Sequence, residues 1–156
     1  MKSITKTIMY LQMTALFLTA SLAGAAAAEK EVPFRGSIQA VEATDVQFPS
    51  LFVDASGSGN ATHLGRFTVT YEFEVNLLTF AGIGSAHFIA ANGDSIFTEI
   101  TGQGTVPDPI SFIVETHTIT GGTGRFAGAT GSFTIERLLN TVTGITSGSF
   151  EGTISY

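Results

Sequence analysis

The sequence contains no cysteine and no tryptophan, only 4 prolines in 156 residues, and only 7 lysines and arginines against 13 acids. Without cysteine no disulfide framework can hold the chain and no cysteine is present to carry a lipid, so stability has to come from a packed core. With few cations and no Lys/Arg cluster, the chain lacks the electrostatic footprint of nucleic-acid binding and of docking on anionic lipid. Also lacking is any apolar stripe at helical spacing of useful length. What is abundant is glycine, threonine, phenylalanine and β-branched aliphatics, the composition of short strands and turns.

The first residues set a compartment. Lys2 and Lys6 precede an apolar run from Leu11 to Leu22, and Ala26 and Ala28 form an A-x-A cleavage pattern before Glu29. That order predicts a secretory signal peptide over 1–28. A spanning helix would need about 20 apolar residues, and Thr14, Thr19 and Ser21 interrupt this one. The expectation is a secreted or periplasmic protein whose mature part, 29–156, is a single domain. Removal of Lys2 and Lys6 leaves 5 basic and 13 acidic residues, a net charge of -8. No membrane partner and no nucleic acid are expected once the signal is cleaved.

Strict alternation marks the clearest strand. In RFTVTYEFEVNLL, Phe67, Val69, Tyr71, Phe73, Val75 and Leu77 share one face, and Thr68, Thr70, Glu72, Glu74 and Asn76 the other, as in a half-buried antiparallel strand. A hairpin follows, with Asn92-Gly93 expected as a two-residue type I′ turn. Further strands are expected in FRGSIQAVEA, TDVQFPSLFV, ISFIVETHTI, GSFTIERLL and ITSGSFEGTISY, about eight in all. DASGSGNATHLG reads as a loop, and GQGTVPDPIS as a turn in which Pro107 and Pro109 separate two strands.

The stretch TITGGTGRFAGATGSF has glycines at the spacing of a dinucleotide fingerprint. That fingerprint must open a helix inside a βαβ unit, whereas a strand pattern follows here and only 28 residues remain after Gly128. A structural turn of Gly121, Gly122, Gly124, Phe126 and Gly128 fits instead: Gly121, Gly122 and Gly124 supply unusual backbone angles, Phe126 plugs the core, and RFAGA makes at most one helical turn. No cofactor is expected.

The run THTITGGTGRFAGATGSFTIERL, followed by SGSFEGTI, resembles the C-terminal half of the allene oxide cyclase and dirigent family, over Glu115–Ile154. As a bacterial, secreted relative of that family, the chain would be all-β, an eight-stranded antiparallel barrel of the allene oxide cyclase-like, calycin-like kind. The resemblance also implies a cavity for a lipid-like or phenolic molecule, in which cyclases use a glutamate and dirigent proteins use acidic residues. Glu42, in QAVEATD, is the nearest match to the cyclase glutamate; the polar residues beside that glutamate have no counterpart here.

Other chemistry is sparse. His63, His87 and His117 show no metal-ligand spacing and read as solvent-facing or rim histidines, so no metal is expected. No G-x-S-x-G elbow supports a serine triad. Glu72 and Glu74 read as the solvated face of a strand. Glu99 and Glu115 lie on strands whose faces are both fairly apolar; inside a barrel either would have a raised pKa and serve as acid or base, and the preferred expectation for both is an outward, hydrated position. Glu42 and Glu99 are thus the catalytic candidates. Arg66, Arg125 and Arg137 are expected to pair with neighbouring carboxylates.

Three functions stay open: a non-catalytic binder of a small apolar ligand or a structural module, which is preferred; a cyclase or isomerase that holds a reactive substrate in one conformation; and a protein-interaction module, including homo-oligomers. A hollow interior with an inward Glu42 or Glu99 would favour the cyclase, and an interior filled by Phe67, Phe73, Phe112, Phe133 and Phe150 the structural forms.

Overall fold

The computed structural model describes residues 30–106 and 109–156; the expected signal segment and Pro107 lie outside the described residues. Eight strands follow in order: β1 (Val32–Gln47), β2 (Ser50–Ala61), β3 (Gly65–Asn76), β4 (Ala81–Ala90), β5 (Ser95–Gly104), β6 (Ile110–Thr123), β7 (Thr130–Asn140) and β8 (Ile145–Ser155). Each pairs antiparallel with the next, and β1 pairs with β8 from Val32↔Ile154 to Val41↔Ile145, so the sheet closes on itself. The fold is the expected all-β, eight-stranded antiparallel barrel. Because every connection joins neighbours, four turns gather at one end, while three turns and the ends of β1 and β8 gather at the other.

Alternation carries most of this architecture. On β3 the buried positions are Phe67, Val69, Tyr71 and Phe73, and Glu72 and Glu74 face solvent, as their spacing requires. Two segments differ from the expected assignment. TDVQFPSLFV is not one strand: Phe48 and Pro49 form the turn between β1 and β2. DASGSGNATHLG is not a loop, since Asp54 to Ala61 continue β2 in register with both neighbours. The small residues there make room. A side chain at Gly59 would put its Cβ 2.5 Å from the Phe67 ring, so glycine lets the inward aromatic of β3 fill the space beside β2.

The β4–β5 hairpin also differs from its expected form. Gly93 has φ 91° but Asn92 does not have positive φ. The Gly93 amide donates to Ala90 O at 2.9 Å and the Ala90 amide to Asp94 O at 2.8 Å. This is the three-residue hairpin with a left-handed glycine bulge rather than type I′.

The glycine-rich stretch is the structural turn expected of it. Gly124–Phe126 make a single 3₁₀ turn with Phe126 fully buried. Gly121, Gly124 and Gly128 take positive φ, whereas Gly122, expected to do so, does not; glycine is needed at 122 because a Cβ there would collide with Ser95 O, and at Gly124 a Cβ would also collide with the Asp94 carboxylate.

The interior is filled at one end and hollow at the other. Phe34, Phe67, Phe88, Phe133 and Phe150 pack edge to face or tilted at centroid distances of 5.1 to 6.3 Å, the preferred geometry of aromatic clusters. Leu64, Phe126 and Ala129 close the barrel beneath them. Phe112, expected inside, points outward and is half exposed: on β6 the inward phase belongs to Ser111, Glu115, His117 and Ile119.

Candidate functional site

Above the aromatic layer the barrel opens into a cavity of about 480 Å³. Its walls are largely apolar, among them Val53, Phe73, Val75, Phe80 and Leu139, and its floor carries Glu42, Glu115 and Arg137. All three charged residues are buried.

Strand phase brings them together. Arg137 follows Phe133 and Ile135 at two-residue steps along the inward face of β7. Glu115 and His117 precede Ile119 in the same way on β6, and Glu42 follows Ile38 and Ala40 on β1. Across β2, Glu42 pairs with Ala55 and Ala55 with Tyr71. The small Ala55 lets the Tyr71 hydroxyl donate to Glu42 Oε1 at 3.0 Å.

Arg137 is the hub. Its Nη1 donates to Glu42 Oε1 at 2.5 Å and to Thr146 Oγ1 at 3.0 Å, and its Nε and Nη2 donate to Glu115 Oε1 at 3.0 and 2.6 Å. The Thr146 hydroxyl in turn donates to Leu138 O at 2.9 Å. Four of the five guanidinium N–H groups are thus engaged, and the floor holds two carboxylates for one cation.

Burial alone would push the Glu115 carboxyl up, but His117 and, in direct contact, Arg137 stabilise its anion and hold it below the usual value. His117 Nε2 lies 3.7 Å from Glu115 Oε2, too far for a hydrogen bond; Arg137 at 2.6 Å is the closer partner. Burial lowers the His117 pKa, and the opposing pull of Glu115 does not restore it, so the ring is neutral near pH 7. Burial would lower Arg137, yet Glu115 and Glu42 outweigh it and hold the guanidinium charged. Burial raises Tyr71 so that it stays a phenol and a donor.

His117 is 2% exposed, stacks on Phe133 at 4.7 Å, and shares a 3.0 Å hydrogen bond between Nδ1 and Thr98 Oγ1. The rim position expected for it is therefore corrected, because Thr116, Thr118 and Thr120 occupy the outer face of β6. His87 is half buried against Phe97 on the outer wall, and His63 is exposed at the closed end. No group of three metal-ligand residues converges among the described residues.

The two candidate glutamates part company. Glu42 lies at the cavity floor. Glu99 lies on the outer wall, exposed beside Asp54, Glu72 and Glu74 in a shallow depression, since β5 sends Ile96, Thr98 and Ile100 inward. Glu115, for which an outward position was preferred, takes the interior place instead. Arg137 does pair with carboxylates, as expected, but inside the barrel.

No protein-family model matches the sequence, and no curated protein matches it. Among solved structures, a pterocarpan synthase dirigent protein is similar in fold, with a TM-score of 0.61 over 96% of this chain and 99% of that one at 11% identity. The barrel is dirigent-like in architecture.

Proposed function

We propose that this chain is an exported binding barrel for a small, largely apolar molecule, phenolic or lipid-like, whose polar end donates a hydrogen bond to the cavity floor. One observation carries the reading: an open apolar cavity of about 480 Å³ ends on a buried charge cluster whose single cation is already engaged by both carboxylates. The volume suits a small-molecule site, and a few convergent polar groups in an apolar cleft are what orients such a ligand. Because the floor offers acceptors, a hydroxyl is favoured over a carboxylate, which would meet a net negative floor.

Native mass spectrometry of the protein from its own exported fraction is the direct test, with extraction of any bound molecule. In parallel, naphthol and naphthoate share a ring system and differ in the polar end. Naphthol should bind and naphthoate should not. Equal binding, or none of either with a clean apo mass, would overturn the reading.

A second reading, cyclase or isomerase activity, is favoured by the contact between Glu42 and the Tyr71 hydroxyl. A carboxylate at the floor of an apolar cavity, hydrogen-bonded by a buried phenol behind it, is acid–base equipment for a substrate held in one conformation. Conversion of the extracted ligand by the wild type, and its loss in Glu42→Gln with binding retained, would separate catalysis from storage.

A further inference from the structure

The two ends of the barrel treat the apolar residues of their turns in opposite ways. At the closed end Leu64, Phe126 and Ala129 fold inward and are at most 2% exposed. At the mouth each of the four connections presents a bare apolar side chain: Phe48 is 72% exposed, Leu78 67%, Val106 70% and Val142 80%. These tips stand two strands apart around the rim of the cavity. Ordinary surface apolar residues are scattered singly; a ring of four around an opening is not.

The rim is also nearly uncharged. The described residues of these turns, 47–50, 76–81, 105–106, 109–110 and 140–145, contain no charged residue, and the carboxylates just behind them, Asp45 and Glu74, accept from Gln47 Nε2 and Ser50 Oγ at 2.8 Å each. Two of the tips, half a barrel apart, share one construction. Asn76 Oδ1 accepts from the Leu78 and Thr79 amides at 2.9 and 3.2 Å, and Asn140 Oδ1 accepts from the Val142 and Thr143 amides at 3.0 and 3.1 Å. The backbone donors beside the exposed Leu78 and Val142 are thus satisfied internally and need no water.

We infer that the mouth docks on an electrically neutral lipid surface, inserting these four tips so that the cavity opens into the apolar layer. Turns without any cation, backed by Asp45 and Glu74 on an acidic protein, fit a zwitterionic surface and are repelled by an anionic one. The net charge that argues against anionic lipid leaves a neutral surface open. Continuity supplies the second reason: the cavity lining reaches the tip residue Val142 and, next to the other tips, Val46, Leu77 and Thr105, so a molecule dissolved in the lipid has a short path from the tips to the floor. Binding of this kind scales with the apolar area buried at the interface.

The test is flotation of the mature protein with vesicles of pure phosphatidylcholine, and with vesicles of phosphatidylcholine mixed with phosphatidylglycerol. The wild type should float with the first and less with the second. Leu78→Ser with Val142→Ser, both at exposed positions, should lower partitioning by about tenfold or more while the thermal midpoint stays put. Gly104→Leu, which fills the cavity and leaves the tips alone, should float like the wild type, so docking stands or falls apart from ligand binding. Absence of flotation, stronger flotation with phosphatidylglycerol, or a tip-dependent dimer seen by ultracentrifugation without vesicles would each overturn the inference, the last by making a second copy the occupant.

Discussion

Arg137 holds Glu42, a residue 95 positions earlier in the chain, at 2.5 Å across the interior of the barrel. The same guanidinium grips Glu115, so one side chain on β7 ties β1 to β6 at the cavity floor. Removing one member of a buried ionic cluster costs more than the cluster contributes, because the partners stay buried and uncompensated.

Arg137→Met should therefore destabilise the barrel by about 3–5 kcal/mol at neutral pH. The deficit should shrink in acid, where the abandoned Glu115 carboxylate takes up a proton. Urea denaturation at pH 7 and near pH 4 reads both, and a loss that is small at pH 7 would contradict the assigned geometry.

Replacing the whole cluster should behave differently. Glu42→Leu, Glu115→Leu and Arg137→Met together should fold with stability near that of the wild type or above it, since well-packed apolar groups are often as good as a buried ion pair. The variant should lose the preference for naphthol over naphthoate. A triple variant that keeps that preference would show that the floor does not select the ligand.

Acid should weaken the fold in two overlapping stages. His117 has a folded pKa below its ordinary 6.5, so the unfolded chain binds more protons and stability falls as pH drops below about 6.5 towards the folded value. Glu115 lies below its ordinary 4.5; its contribution is complete above that value and is lost as pH falls through the lower folded pKa. His117→Phe, which keeps a ring on Phe133, should flatten the upper stage and leave the lower one. Thermal midpoints measured from pH 8 to pH 3 follow both, and an unchanged slope between pH 6.5 and 5 in the variant would rule His117 out.

Gly104 lines the cavity, and a Cβ there would meet Ser111 Oγ at an ordinary 3.5 Å. Gly104→Leu should fold and should abolish binding of naphthol. Glu99→Gln, on the outer wall, should change stability by no more than about 0.5 kcal/mol and leave binding intact. Calorimetric titration of both variants provides the comparison, and a loss of binding in Glu99→Gln would return that residue to the site.

The sequence reveals the barrel more fully than its site. Eight strands and the glycine turn follow from alternation and turn chemistry. The second half of β2 does not, because Gly57 and Gly59 are demanded by the rings and backbone that press on them from other strands, and no local pattern displays that pressure. Arg137 was legible in principle: it holds the phase of Phe133 and Ile135 on β7. A lone cation in an acidic chain draws attention to surface pairing, and only the closure of β6, β7, β8 and β1 shows that its partners lie inside. For Glu99 and Glu115 the decisive signal is which face of the strand the alternating residues mark. Phe97 beside Glu99 suggests an apolar face that is in fact the outer wall, while Thr116, Thr118 and Thr120 mark the outer face of β6 and leave Glu115 within.

Seven of the eight strand pairings join sequence neighbours, and the eighth joins the two ends of the described chain, with Val32 opposite Ile154. The chain is in this sense already circular in space. Linking its ends and reopening it at the Ala91–Asp94 hairpin would preserve every pairing and the whole mouth, while making β1 on β8 a local hairpin and β4 on β5 the long-range closure. Such a permuted barrel should refold at a rate close to that of the natural order; a change of more than about tenfold would mean that the identity of the last pair to close controls the rate.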